Sequence, residues 1–411
     1  MLLTNPGGPG GSGVDFLREG ADTFDGSIRD DFDIVSWDPR GVGGSAVADC
    51  GDRLDYFYAV DRNGTDAATT RANEVVAKRF ASDCARKMRP LLPYLSTRDT
   101  VRDMDAIRAA MGIPTIDYVG FSYGTYIGAL YAEAYPHRVR SMVLDGAVDP
   151  AASYDDGVIA QSVGFEHALD AFFAWCRDKH DCAFARSGNP ETAFDDLMKS
   201  IAEETDPGTV DGEHRELGIG EANIGVASAL YAGNTDDGWR ALGTALNDAA
   251  RGDGAGLLRL SDAYTGRKQG GTYNDLTAAF YAISCLDAPA PATIDAQQRL
   301  AARAARVSPH FGASTTWLGL PCAFWPAPAD GRPAPIHAVG APPIVVVGNT
   351  DDPATPYAQA QALARELRSG RLLTFVGEGH TEYGRGNHCI DDAVDHYLIS
   401  LAVPPAGKRC S

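Results

Sequence analysis

The sequence predicts an α/β fold, a mostly parallel sheet flanked by helices, with a large helical segment inserted into it. Three observations carry this. Short apolar runs such as Ile116–Phe121, Val139–Leu144 and Pro343–Gly348 lack alternation and read as strands buried on both faces. Stretches between and beside them, Asn73–Met88 and Arg98–Met111, repeat apolar residues at helical spacing. From about residue 151 the strand-like runs stop, and the chain reads as helices with Gly- and Pro-rich joints until about residue 335. Residues 1–150 and 336–411 are therefore expected to form the core, and 151–335 a helical cap. A chain of 411 residues is too long for one simple core, which agrees with such a division.

The chain opens on an apolar stub, Leu2-Leu3-Thr4, and runs at once into Asn5-Pro6-Gly7-Gly8-Pro9-Gly10-Gly11-Ser12-Gly13. An α/β domain rarely begins there, so an export signal and one or two initial strands are expected upstream. A loop with so little side chain lets backbone approach a ligand and point amides at it. A dinucleotide loop is the alternative, but Pro6 and Pro9 remove donors and no acid stands at the expected place on a second strand. Phe32–Trp37 is the next strand, and in the turn after it Asp38 and Arg40 are expected to brace the backbone. Thr97 reads as an N-cap, and Gly112-Ile113-Pro114 as the end of that helix. Within the inserted segment Val158–Arg177, Ala193–Glu204, Asp236–Ala250, Asp275–Ser284 and Asp295–Arg306 read as helices. After Pro343–Gly348 come a helix over Tyr357–Arg368, a strand over Leu372–Val376 and a closing helix from about Asp391 to Leu401.

The chemistry centres on Tyr118–Thr125, where Gly120-x-Ser122-x-Gly124 stands between a strand and a helix. That arrangement is a nucleophile elbow: the serine occupies a strained turn, and the glycines remove side chains that would collide with the neighbouring elements. The plain alternative is a chance turn in a chain with 45 glycines, but such a turn has no reason to join a buried strand to a buried helix. Hydroxyl attack on a carbonyl needs a base, an acid to orient it, and donors for the oxyanion. Asp352 and His380 follow two successive strands, in the chain order Ser122, Asp352, His380. Asp351 and Asp145 are the alternative acids, and His388 the alternative base. The oxyanion donors are expected to be the amides of Gly8 (or Gly7) and Tyr123.

Composition narrows the partners. The formal net charge of −19 disfavours nucleic acid and anionic membrane surfaces. No apolar run is long enough to span a membrane. The eight cysteines form no Cys-x-x-Cys, and His-Glu-x-x-His is absent, so no metal site is expected. Paired in order they would give Cys50–Cys84, Cys176–Cys182, Cys285–Cys322 and Cys389–Cys410, which implies an oxidising compartment.

Together the Asn5–Gly13 loop, Asp38-Pro39-Arg40-Gly41-Val42-Gly43, the elbow, Asp352-Pro353-Ala354-Thr355-Pro356 and Gly379-His380 resemble the secreted tripeptidyl aminopeptidases. These are relatives of proline iminopeptidase within the α/β-hydrolase peptidases. Cys285, Pro321–Pro326 and the carboxyl-terminal region with Cys389 and Cys410 extend the resemblance to nearly the whole chain. It implies an α/β-hydrolase fold with its cap inserted after the sixth strand, and export. It also implies hydrolysis of peptides near a free amino terminus through an acyl-enzyme on Ser122. His380 would be base and then acid, Asp352 its orienter, with no cofactor; the sequence does not give the oligomeric state, and a monomer is the default expectation. An aminopeptidase needs a carboxylate for the substrate ammonium; Glu133, Glu166, Asp236, Asp237 and Asp287 are the candidates in or near the cap. An esterase or amidase of the same fold would carry the same triad, because substrate class resides in the cap. A catalytically dead binding scaffold is the remaining alternative.

Overall fold

The computed structural model describes residues 1–411 except 65, 179–181 and 185–187, and the side chain of Ala21. In chain order the strands are β1 (Leu2–Asn5), β2 (Ile34–Ser36), β3 (Ile116–Phe121), β4 (Val139–Asp145), β5 (Asp206–Val210), β6 (Glu213–Leu217), β7 (Arg267–Lys268), β8 (Thr272–Tyr273), β9 (Ile344–Asp351), β10 (Gly370–Glu378) and β11 (Arg409–Cys410). Seven of them form one parallel sheet in the order β11-β10-β9-β4-β3-β1-β2. The central strands are valine- and isoleucine-rich and buried on both faces, as a parallel sheet covered by helices requires.

The order places β2 on one side of β1 and β3 on the other, so the winding reverses between β1 and β3. A crevice opens at the carboxyl ends of the strands at such a reversal. The register pairs Asn5 with Gly120 and Phe121 with Asp145, so the loops after β1, β3 and β4 leave the sheet at one level. The glycine-rich loop and the elbow therefore face each other across this crevice.

Local chemistry accounts for most boundaries. The helix over Thr97–Ala110 is capped by Ser96, whose hydroxyl accepts from Asp99 N, and not by Thr97. Ser96 has the extended backbone that a cap needs, whereas the Thr97 hydroxyl bonds Tyr123 and Asp287. Asp38 and Arg40 brace their turn as expected. Asp38 accepts from Ser12, Val14 N and Gly44 N, and Arg40 donates to both carboxylate oxygens of Asp103.

Among the described residues between β4 and β9 no strand joins the main sheet. Helices dominate, and Phe172, Phe173, Trp175, Trp239 and Leu242 are among the residues of a separate apolar core there. Helices over Ile219–Ala232 and Ala255–Thr265, and two antiparallel hairpins (β5–β6 and β7–β8), were not apparent in the sequence. Strands such as Glu213-His214-Arg215-Glu216-Leu217 are nearly all polar, so they carry no apolar period to read. All four cysteine pairs form as expected from their order. Among the described residues no helix is long and apolar enough to cross a membrane.

Candidate active site

Ser122 stands between the end of β3 and the helix Tyr123–Ala134, at φ 54° and ψ −125°. Left-handed backbone is costly for a residue with a Cβ, and here the surroundings enforce it. Ser122 N donates to Asp145 O at 2.8 Å, and the Ser122 carbonyl accepts from Thr125 N and the Thr125 hydroxyl. The helix also lies hard against the sheet, since a Cβ at Gly124 would sit 2.4 Å from Asn5 O. A larger residue there would push the helix, and Ser122 with it, out of place.

The glycine-rich loop supplies the opposite wall. Gly7, at φ 92°, is so close to the elbow that a Cβ would lie 2.7 Å from Tyr123 N. Its own N–H is committed to Asn5 Oδ1 at 3.0 Å. That leaves Gly8, which is exposed and whose N–H has no protein partner among the described residues. Tyr123 N, at the first turn of its helix, is likewise unshared. Gly8 and Tyr123 are thus two free donors on adjoining backbone, at the positive end of a helix dipole.

His380 and Asp352 meet. His380 Nδ1 lies 2.9 Å from both carboxylate oxygens of Asp352, and both residues are buried. Asp352 is held by Ala354 N and Thr355 N, each at 2.9 Å to Oδ1, and by the Thr355 hydroxyl at 3.0 Å to Oδ2. With Nδ1 facing a carboxylate, the proton belongs on Nδ1 and Nε2 keeps a lone pair. Nε2 is buried and has no hydrogen-bond partner. No hydrogen bond joins it to Ser122. The two are brought near by Gly146, which follows the residue that accepts from Ser122 N; a Cβ on Gly146 would lie 3.2 Å from His380 Cε1.

The alternatives fall elsewhere. Asp351 is exposed and bonds Thr350, and His388 is exposed at the start of the last helix. Asp145 is buried but accepts from Glu382 N and Tyr383 N; burial pushes its carboxyl up to about 6. Two neighbours of His380 carried no signal in the sequence. Tyr231 accepts from His380 N at 2.9 Å and sets its ring edge-on to the imidazole, with centroids 5.4 Å apart. Glu382 is buried beside Asp145, and burial followed by that charge pushes its carboxyl up to about 7.

Comparison with known proteins bears on this geometry. A family model described as alpha/beta hydrolase fold matches residues 1–188, and one described as TAP-like protein matches residues 308–410. Serine protease Hip1 of Mycobacterium tuberculosis is 36% identical over 425 residues, covering 100% of this chain and 80% of that protein. The chain belongs to the TAP-like α/β-hydrolase family. Carboxylesterase B of the same organism is 37% identical, covering 100% of the chain and 79% of that protein. Tripeptidyl aminopeptidase of Streptomyces coelicolor is 31% identical, covering 100% and 76%.

The TAP-like chain places the five acids considered for an ammonium in different roles. Glu133 accepts from His337 N and Ala338 N, and Glu166 from Ser308 and His310. Asp236 pairs with Arg240, and Asp237 is exposed. Asp287 alone reaches the elbow. It accepts from Thr97 N, the Thr97 hydroxyl and the hydroxyl of Tyr123, and burial pushes its carboxyl up to about 7. Among the described residues no group of three or more His, Cys, Asp or Glu is arranged to hold a metal ion.

Proposed function

We propose that the chain is a serine exopeptidase hydrolysing peptide bonds near a free amino terminus, through an acyl-enzyme on Ser122. The observation that carries the reading is the strained serine flanked by two unshared amides, beside a buried histidine whose outer nitrogen is free. The Ser122 hydroxyl gives its proton to His380 Nε2 as Oγ attacks the carbonyl carbon, and Asp352 stabilises the resulting imidazolium. The N–H groups of Gly8 and Tyr123 donate to the oxyanion. Collapse expels the amine, which takes the proton from Nε2. Water then attacks the ester with His380 as base, and Ser122 leaves with the proton restored.

Peptide substrates are supported by the relatives named serine protease and tripeptidyl aminopeptidase. Residues 151–335 act as the cap that selects among substrates. Four disulfides support an oxidising, extracellular setting. Ester hydrolysis at the same serine is a second reading, favoured by the relative named carboxylesterase B. Profiling with amino-terminally free tripeptide, single-proline and short acyl ester reporters separates the two. Cleavage of esters with every peptide untouched would leave only the second. Ser122→Ala should lower turnover by about 10⁴- to 10⁶-fold in a folded protein, and turnover retained in that variant would refute both.

A further inference from the structure

Behind the catalytic histidine lies a cavity of about 90 Å³ that the acyl-transfer steps do not use. Tyr231 is common to both places: it lines the cavity, its carbonyl accepts from His380 N, and its ring meets the imidazole edge-on. At the mouth the Tyr231 hydroxyl bonds that of Tyr264, which is 44% exposed. Phe165 and Phe311, whose rings touch, form an apolar wall.

The inner surface is a mismatch of donors. Arg62 is 5% exposed, and its guanidinium bonds only the carbonyls of Phe57 and Val60 and lies over the Phe57 ring. Among the described residues no carboxylate stands within ion-pair distance of it. Two acids act on it through space: Asp61 accepts from Asn63 N and Gly64 N, and Glu221, whose Oε2 is buried without a hydrogen-bond partner, is pushed by burial towards its neutral form. A guanidinium has five N–H donors, and a buried cation without a partner is unfavourable. Beside it the amide nitrogen of Asn223 is buried and bonds nothing. A buried cationic donor and an unshared amide N–H, reached along an aromatic wall, suit a carboxylate on a short apolar chain. The volume is several times the roughly 10–15 Å³ that admits one water, so a short side chain such as that of Asp or Glu has room.

We propose that this cavity is a specificity subsite for a carboxylate-bearing chain in the acyl part of the substrate, received by Arg62 and Asn223 and entered past Tyr231 and Tyr264. The assignment rests on Ser122 being the nucleophile, and it sharpens the proposed function by naming the substrate class.

Two nitrophenyl esters matched in chain length test it: the neutral valerate and the glutarate half ester. The folded wild-type protein should favour the glutarate ester by roughly 10- to 100-fold in kcat/KM, because a site built of donors rejects a chain that cannot accept. Arg62→Met should abolish or invert that ratio. Tripeptides carrying Glu, Gln or Leu in turn should show the same order at one position. Arg62 is buried, so Asn223→Leu is the companion variant, removing a donor while leaving the charge; it should narrow the ratio. A wild-type preference for valerate, or a glutarate preference that survives in folded Arg62→Met, overturns the subsite. If no reporter shows Ser122-dependent turnover, the hydrolase reading itself has failed. Calorimetry of glutarate monomethyl ester against methyl valerate on the wild-type chain then decides the subsite alone, with tighter glutarate binding supporting it and equal binding overturning it.

Discussion

Thr355→Val isolates the support behind the base. The threonine is 6% exposed, and valine copies its shape while removing the hydroxyl. Its N–H bond to Asp352 Oδ1 at 2.9 Å survives, being backbone. What is lost is the hydroxyl at 3.0 Å from Asp352 Oδ2, together with its 3.3 Å contact to His380 Nδ1. A hydrogen bond to a buried charged group is worth about 1.5–3 kcal/mol. At 1.36 kcal/mol per decade, that converts to a fall in kcat/KM of roughly 10- to 150-fold. The loss should appear in kcat, because Thr355 faces the acid and not the substrate, so KM should hold within about twofold. Steady-state kinetics on the best peptide or ester reporter provides the measurement, with circular dichroism to establish folding. Thr355→Ser restores the hydroxyl and should recover most of the rate. A valine variant with wild-type kcat, or a serine variant as impaired as the valine one, would refute the idea that this hydroxyl holds the carboxylate.

Two further predictions concern pH. His310 Nδ1 and Nε2 face Glu166 and Asp195, and the hydrogen bond to Glu166 leads the causes that raise the imidazole to about 9. Its stabilisation is full below about pH 6.5 and lost as pH rises through 9, which corresponds to at most ~3.4 kcal/mol, nearer ~2 after allowing for solvent at the exposed Asp195 side. Urea unfolding should therefore show His310→Gln destabilised at pH 7 and the gap narrowing by pH 10, and a gap constant over that range would contradict the ion pair. Asp287 has the opposite origin, burial raising its carboxyl to about 7, so the fold favours the protonated form and loses stability as pH climbs from about 4 through 7. Asp287→Asn should flatten that decline in thermal melts between pH 4.5 and 8, whereas an unchanged slope would show that Asp287 is not its source.

Much of the candidate site was legible because its constraints are local. A serine forced to positive φ between a buried strand and a buried helix needs glycines on both sides, so Gly120-x-Ser122-x-Gly124 records a steric requirement within five residues. Asp352 and His380 could be read from position, each following an apolar run that became β9 or β10. The disulfides followed chain order because each closes a short excursion. Thr97 misled because two adjacent hydroxyls can both cap a helix. Ser96 has the extended backbone a cap needs, and Asp287, 190 residues away, takes the Thr97 hydroxyl.

The surroundings of the site were opaque for a related reason. Tyr231 orients His380 with its carbonyl, a group every residue possesses, so no residue type could announce the role. Arg62 stands in a stretch, Asp61-Arg62-Asn63-Gly64, that reads as an ordinary polar turn. It is buried because segments near residues 161–165, 220–231 and 311–318 close over it, and none of these adjoins it in sequence. Reaction chemistry is therefore written in short motifs at strand ends, where backbone geometry limits the residues allowed. The proposed subsite is written instead in contacts between distant segments, where any single residue looks unremarkable. On the proposed subsite, exchanging Arg62 and Asn223 for apolar residues should move specificity without altering the rate of acyl-enzyme hydrolysis on a common neutral ester.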